Sequence, residues 1–237
     1  MADIALRGEL WDNDSADVLR WWGFRDIVAP MDIQAALEAA DGEDVTVLVN
    51  SPGGDMTVGG EIRSMLRRYS GRTTALIQGY GASAATLAVS ACTVIQSEPG
   101  ALLCYHNPVA GVQGDFRDMK RSAQALKNAR DCILEMYQAR SGTRSREELM
   151  DLMDQNIWIT PTQAKEYGLI DEIVALAGAD EGEADPAAFV AAAGSRYRLT
   201  QAMRQQYRDH LAAEKAAAGQ RERAERIRAR LRALNSY

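Results

Sequence analysis

Cysteine is scarce in this 237-residue chain: Cys92, Cys104 and Cys132 are all there is, too few and too scattered for a disulfide framework or a zinc site. Histidine is scarcer still, with only His106 and His210, so chemistry that needs a base titrating near neutrality has two places to find one. Long apolar runs are missing as well. The longest, Ala82 to Ile95, is interrupted by Ser83, Thr86, Ser90 and Thr93 and falls short of the roughly 20 residues that a bilayer span needs. No membrane partner is expected. The opening MADIALRGELWD has neither the basic n-region nor the apolar h-region of a secretory signal, which points to a reducing, cytoplasmic setting. No cofactor motif and no metal site is expected.

What remains is an ordinary globular balance, 46% hydrophobic and 25% charged, which excludes a collagenous, mucin-like or wholly disordered chain. The length suits one large α/β domain with a tail. Net charge is −6, unevenly spread. From Arg196 to Tyr237 eleven Arg and Lys face four acids, a balance of +7, which leaves −13 on the residues before them. Two parts with different partners are implied.

The run DVTVLVN (Asp44 to Asn50) is β-branched and nearly continuously apolar, as in a strand buried on both faces of a parallel sheet. It stops at SPGGD. Helical spacing follows in VGGEIRSMLRRY, then strand character returns in TTALIQGYG, the pattern of a βαβ crossover. Further on come an Ala-rich helix from Ser83 to Ala91, strands near Thr93 to Gln96 and in ALLCYHN, and a long amphipathic helix from about Asp115 to Arg140. Ser145 with Glu148 reads as a capping box for REELMDLMD,. Thr160 and Pro161 open a short helix that Gly168 stops,, and LIDEIVAL reads as a last strand. The organisation predicted is a domain over 1–176, an acidic, Gly-bearing flexible linker over 177–194 and a basic helical tail over 195–237. The tail's apolar stripe (Leu199, Met203, Tyr207, Leu211) is too thin for a core of its own and wants a partner surface,.

Three segments can carry chemistry. NSPGGD (Asn50 to Asp55) puts two glycines between a strand and a helix, where backbone N–H groups can face an oxyanion,. GYGASAAT places Ser83 at a strand-to-helix junction with the Ala84 N–H beside it; Ser83 is either a helix cap or a nucleophile. YHNP places His106 at a strand end, the one histidine outside the tail and so the one base available to such a serine.

NSPGGD, GASAAT with Ser83 lying 29 residues after Gly54, HNP, and WITPTQAKEYGLID together closely resemble the Clp-type serine peptidases. The match to the phage and prophage branch, the head-maturation or prohead proteases, is closer still. It covers roughly residues 3 to 176 and fails in the tail. The resemblance implies a ClpP/crotonase-type α/β fold of stacked βαβ units, Ser83 as nucleophile, His106 as general base, and the N–H groups of Gly54 and Ala84 as oxyanion hole. It also implies assembly into a homo-oligomeric ring, with the helix after His106 as interface element. The chain departs from the family at the third member of the triad. The family's acid lies two positions before the aromatic of the WITPTQA segment, and here that position holds Asn156. An Asn carbonyl can fix the tautomer of His106 but offers no charge to the imidazolium. Three alternatives stand: Asn156 as orienter, Asp154 in its place, or a two-residue site.

The leading reading is a peptidase acting through an acyl-enzyme on scaffold or capsid proteins, with the tail docking it to the assembling shell. A housekeeping peptidase fed by a Clp-type ATPase shares the chemistry. A scaffolding subunit that has kept the fold and lost the activity is the third reading. A crotonase-type acyl-CoA enzyme and a Ser-Lys dyad using Lys120 or Lys127 fit less well. Nucleic acid is not the expected partner, because Glu222 and Glu225 interleave the tail's arginines,. Trp11, Trp21 and Trp22 suit packing at an insertion or interface better than a peptide-binding patch.

Overall fold

A computed structural model of the chain describes residues 2–174 and 199–234; the linker expected over 177–194 lies outside the described residues. Its centre is a largely parallel sheet ordered β2-β1-β3-β4-β5-β8, where β1 is Ala2–Leu10, β2 Ile27–Val28, β3 Val45–Gly54, β4 Thr73–Ala82, β5 Val94–Ser97 and β8 Glu172–Ile173. Helices α2 (Pro30–Ala39), α3 (Met56–Arg68) and α4 (Ala84–Val89) connect successive strands. This is the βαβ architecture that the sequence predicts.

Strand β3 differs from expectation in one respect. Val45, Val47, Val49 and Ser51 are buried, while Thr46, Leu48 and Asn50 between them are half-covered. One face is sealed in the core and the other is partly open, so polar Thr46 is accommodated on the open face, where Asn50 Oδ1 is nonetheless buried with no hydrogen-bond partner among the described residues,. The predicted last strand is also shorter than LIDEIVAL. Only Glu172–Ile173 pairs, at the sheet edge beside β5, while Leu169 and Ile170 enter the core from the preceding turn.

Strand β4 carries two partners along one edge. Its first half, Thr74 to Ile77, pairs with β5, and its last residues, Tyr80 to Ala82, pair with β6 (Leu102–Cys104). Strand β6 in turn pairs antiparallel with β7 (Trp158–Ile159), with Cys104 opposite Trp158. Between β6 and β7 run α5 (Phe116–Ser141) and α6 (Arg146–Gln155), and α7 (Pro161–Glu166) follows. The caps fall where predicted: Ser145 with Glu148 and Thr160 with Gln163 both form capping boxes, and Pro161 opens α7. In α5 the buried residues are Ile133, Leu134, Tyr137 and Ser141. Its N-terminal half is largely exposed.

The chain divides into two compact units. The first holds the sheet and its helices; the second joins Asp17–Phe24, from the end of α1 (Asn13–Trp21), to the long C-terminal helix α8 (Gln201–Leu234). Within the second unit Trp21 packs against Tyr207 and His210, with ring centroids 5.8 and 5.1 Å away. Gln201–Leu234 is helical, and Tyr207 of its stripe meets Trp21 within this unit. No helix among the described residues is long and apolar enough to cross a membrane.

Candidate active site

Ser83 follows β4 and precedes α4 with φ 55 and ψ −131, a backbone conformation that costs an L-residue about 1–3 kcal/mol and survives only where its surroundings over-determine it. They do so here. The Ser83 N–H donates to the Cys104 carbonyl at 2.9 Å, and the Ser83 carbonyl accepts from the Thr86 N–H and from Thr86 Oγ1 at 3.0 and 2.6 Å. The Thr86 hydroxyl proton is thereby committed, so in the 2.7 Å contact between Thr86 and Tyr137 it is the tyrosine O–H that donates. Tyr137 comes from α5 and stacks edge-on against Tyr105 at 5.2 Å. Burial pushes the phenol pKa of both tyrosines upward, so both stay neutral donors.

The Ser83 side chain makes no cap hydrogen bond. That removes the helix-cap reading and leaves Oγ free for chemistry. The Ala84 N–H heads the first turn of α4, where intrahelical partners are missing.

The glycine turn closes on this junction. A Cβ placed on Gly53 would lie 2.6 Å from Ser83 Cβ and 2.8 Å from Ala84 N, so Gly53, at φ 92, permits contact that no other residue allows. Its own N–H donates to Ser51 Oγ at 3.1 Å, and Ser51 Oγ donates to the Gly8 carbonyl at 2.6 Å. Gly54 is exposed beside it, and a side chain there would strike the Leu10 backbone at 2.2 Å. Gly59 on α3 allows a similar approach, because its Cβ would meet the Ala84 carbonyl at 2.6 Å. The structure thus brings Ser83, Ala84 and the Gly53-Gly54 turn together.

His106 arrives from the adjacent strand. Ala82 is paired with Cys104 in the parallel ladder, so Ser83 lies one residue and His106 two residues beyond neighbouring strand ends that sit about 4.8 Å apart. The ring is half-buried, and its Nδ1 lies 2.6 Å from the Asn107 carbonyl oxygen. A carbonyl only accepts. Nδ1 therefore carries the proton, and Nε2 is left with the lone pair that a general base needs.

Asn156 stands opposite His106 when the β6/β7 register is continued, since Cys104 faces Trp158. Its side chain is exposed and makes no hydrogen bond among the described residues, and its backbone is left-handed (φ 50, ψ 47) as the C-cap of α6. Asp154, two residues earlier, does not reach the ring either; it accepts from Asn107 Nδ2 at 2.7 Å. Gly53, Thr86, Tyr137 and Asn107 all shape the site, and none was singled out in the sequence. The Gly-Gly doublet was the one local signal for Gly53. Nothing in sequence links Tyr137 to Thr86, 51 residues away.

Cys104 borders the site, but burial lifts its thiol to about 11, which keeps it protonated and a poor competitor for the nucleophile's role. Among the described residues no group of His, Cys, Asp and Glu is arranged to hold a metal. The groove of about 360 Å³ lined by Leu37, Met65 and Tyr69 on α2 and α3 contains none of the residues discussed above.

A parallel α/β sheet that delivers a strained, uncapped serine and a histidine to adjacent strand ends has the layout a serine hydrolase requires. The Clp protease family model matches residues 26–177, more than half of the chain, and the protein belongs to that family of serine peptidases. It is 31% identical over 160 residues to the ATP-dependent Clp protease proteolytic subunit 3 of Streptomyces avermitilis, covering 66% of this chain and 73% of that one. It is 30% identical over 160 residues, with the same coverage, to subunit 1 of Streptomyces coelicolor. It is 29% identical over 141 residues to the proteolytic subunit of Bacteroides fragilis, covering 58% and 68%.

Proposed function

We propose that the protein hydrolyses peptide bonds through an acyl-enzyme on Ser83, and that it processes scaffold or capsid proteins during phage head maturation. The observation that carries the chemistry is the Ser83 backbone: strained at φ 55, free of cap duty, and bonded through its N–H to Cys104, two residues before His106. Ser83 Oγ attacks the scissile carbonyl while His106 Nε2 takes its proton and later returns it to the leaving amine. The N–H groups of Ala84 and Gly54 receive the oxyanion, a contribution typically worth 10²–10³ in turnover per donor. Asn156, opposite His106, is the neutral counterpart of the family's acid.

The tail supports the assembly role. It carries +7 beyond a part that carries −13, and it lies outside the stretch that the family model matches. A homo-oligomeric ring fits the family, with the exposed N-terminal half of α5 as the contact element. A second reading, a peptidase fed by a Clp-type ATPase, is favoured by the names of the relatives, which are proteolytic subunits of ATP-dependent proteases. A fluorophosphonate probe tests the chemistry: it should label Ser83 in the wild type and not in Ser83→Ala, and an unlabelled wild type leaves only the scaffolding role. Incubation with scaffold protein, with and without a Clp-type ATPase and ATP, separates the two biological readings. Cleavage without the ATPase is expected.

A further inference from the structure

With no carboxylate at 156, something else must hold the base, and the structure offers a pair of residues outside the triad pattern. The His106 ring makes one hydrogen bond among the described residues, from Nδ1–H to the carbonyl of Asn107, the next residue along the chain. A ring that leans on its neighbour's carbonyl is only as fixed as that peptide. Two features fix it. Pro108 follows and excludes the helical region for Asn107,. The Asn107 side chain is tied down by Nδ2–H donating to Asp154 Oδ1 at 2.7 Å, while its own Oδ1 is buried with no donor. A flipped amide would set oxygen against a carboxylate, so Asn107 has a single orientation.

Asp154 has no local reason to be where it is. It lies in the last turn of α6, which contains no basic residue, and a carboxylate there opposes the helix dipole. Among the described residues the Asn107 amide is its one hydrogen-bond partner. Asn156 does have a local reason, because a left-handed C-cap favours Asn after Gly,.

We infer that Asn107 and Asp154 form the positioning pair for His106: Asp154 anchors the Asn107 side chain, and the Asn107 carbonyl holds the ring in the Nδ1–H tautomer. The inference deepens the peptidase reading for its kinetic consequence, but the tautomer itself can be observed without turnover. Asp154 acts through Asn107 and does not touch the ring. A neutral acceptor at 154 therefore preserves most of the effect, whereas loss of the acceptor removes it.

The test uses the full-length protein with ¹⁵N-labelled histidine, and a His210→Gln variant assigns the two rings. At alkaline pH, where the ring is neutral, His106 should show a protonated Nδ1 and an unprotonated Nε2. In Asp154→Ala and Asn107→Ala the two tautomers should mix. On a small peptide ester, kcat in both variants should fall about tenfold with KM unchanged, well short of the roughly 10⁴ that a wholly wrong tautomer costs a serine protease. Asp154→Asn, which keeps an acceptor, should stay within about threefold of wild type in kcat and keep the tautomer. A wild-type ring protonated on Nε2 overturns the inference. So does an Asp154→Ala ring with unchanged tautomer and kcat. If Asn156→Gly, which keeps the left-handed backbone but deletes the amide, shifts the tautomer while Asp154→Ala does not, the ring belongs to Asn156 and the pair is wrong. Failure of the peptidase reading looks different: no fluorophosphonate labelling of Ser83, with the tautomer result still standing. If Asp154→Ala does not fold, the wild-type spectrum and Asp154→Asn still decide.

Discussion

The turn that carries Ser83 and the segment that carries His106 leave neighbouring strand ends, yet they are held by opposite means. Ser83 is locked from inside the core: its N–H, its carbonyl and the helix after it are bonded to Cys104, Thr86 and, through Thr86, Tyr137. His106 is half-buried and rests on the carbonyl of Asn107, whose own anchor, Asp154, is exposed. Strain at Ser83 is offset by hydrogen bonds within the core. Orientation of the base depends on a surface contact, which water competes for and which contributes correspondingly little. The geometry at Ser83 is therefore a property of the fold, and the geometry at His106 is adjustable by nearby substitutions. In the reading proposed above, this contrast lets the site hold His106 without a carboxylate at position 156.

The largest effects should come from the two reacting side chains. Ser83→Ala should lower turnover at least 10³-fold, as knockouts of a serine-protease nucleophile do, while circular dichroism and melting temperature stay near wild type, because the side chain makes no cap bond. His106→Ala should be as damaging, and the double variant no worse than either single one, since members of a catalytic unit are not additive. A double variant much slower than both would mean that the two residues act separately.

Next comes a change on the rigid side of the comparison. Gly53→Ala inserts a methyl 2.6 Å from Ser83 Cβ and 2.7 Å from the Ala82 carbonyl, at φ 92. The neighbours are backbone and a short side chain, so they cannot give way. Destabilisation of about 1–3 kcal/mol is expected from strain and overpacking, together with slower fluorophosphonate labelling of Ser83. Urea titration and labelling rate check the two halves. Unchanged stability with unchanged labelling would show that the turn yields and that Ser83 is less firmly held than its hydrogen bonds imply.

On the adjustable side the expected change is smaller and of opposite sign. Asn156→Asp should raise kcat several-fold, because a carboxylate facing the protonated ring stabilises it, and one pKa unit of such stabilisation is worth about 1.4 kcal/mol. Asp is tolerated in the left-handed conformation that position 156 adopts,, so folding should be unaffected. An unchanged kcat would mean that a carboxylate at 156 does not come near enough to the ring to stabilise its charge, or that the pocket is arranged around a neutral partner.

The same contrast governs how much of the site is legible in the sequence. The sequence alone brought out Ser83, Ala84, Gly54 and His106 because each follows a strong strand signal and sits in a short motif of small or special residues. The caps at Ser145 and Thr160 were equally legible, being local. Strand β1 is not legible: in ADIALRGEL the short apolar stretch Ile4-Ala5-Leu6 is hemmed in by Asp3 and Arg7, and a bulge between Arg7 and Glu9 breaks the alternation. Tyr137 was invisible for a different reason, since its partner Thr86 is brought to it only by tertiary packing. Asn107 lies inside the HNP motif but carries no sequence signal of its own, because its task is performed by a main-chain carbonyl that any residue possesses. What marks it is the amide bond to Asp154, 47 positions on.

The smallest expected effect on chemistry comes from removing the tail. Cutting after Ala177 should leave ester hydrolysis within about twofold of wild type, because every residue given a role in the site precedes the cut. Trp21 would lose Tyr207 and His210, exposing an aromatic surface that is already 41% exposed in the intact chain. The consequence should be lower solubility and not slower hydrolysis. Binding to an acidic scaffold surface is where truncation should matter, since the eleven basic residues of 196–237 leave with the tail, against eight acids after Ala177. An attraction of that kind weakens with salt, and above about 0.15 M the Debye length is under roughly 8 Å. Co-sedimentation of full-length and truncated protein with scaffold at low and high salt reads this directly. If truncation abolishes esterase activity, the Trp21 contact is part of what holds the catalytic domain together and the tail is no separate module. If binding persists unchanged in high salt, the docking face is the apolar stripe of Leu199, Met203 and Leu211, and the excess of arginine has another purpose.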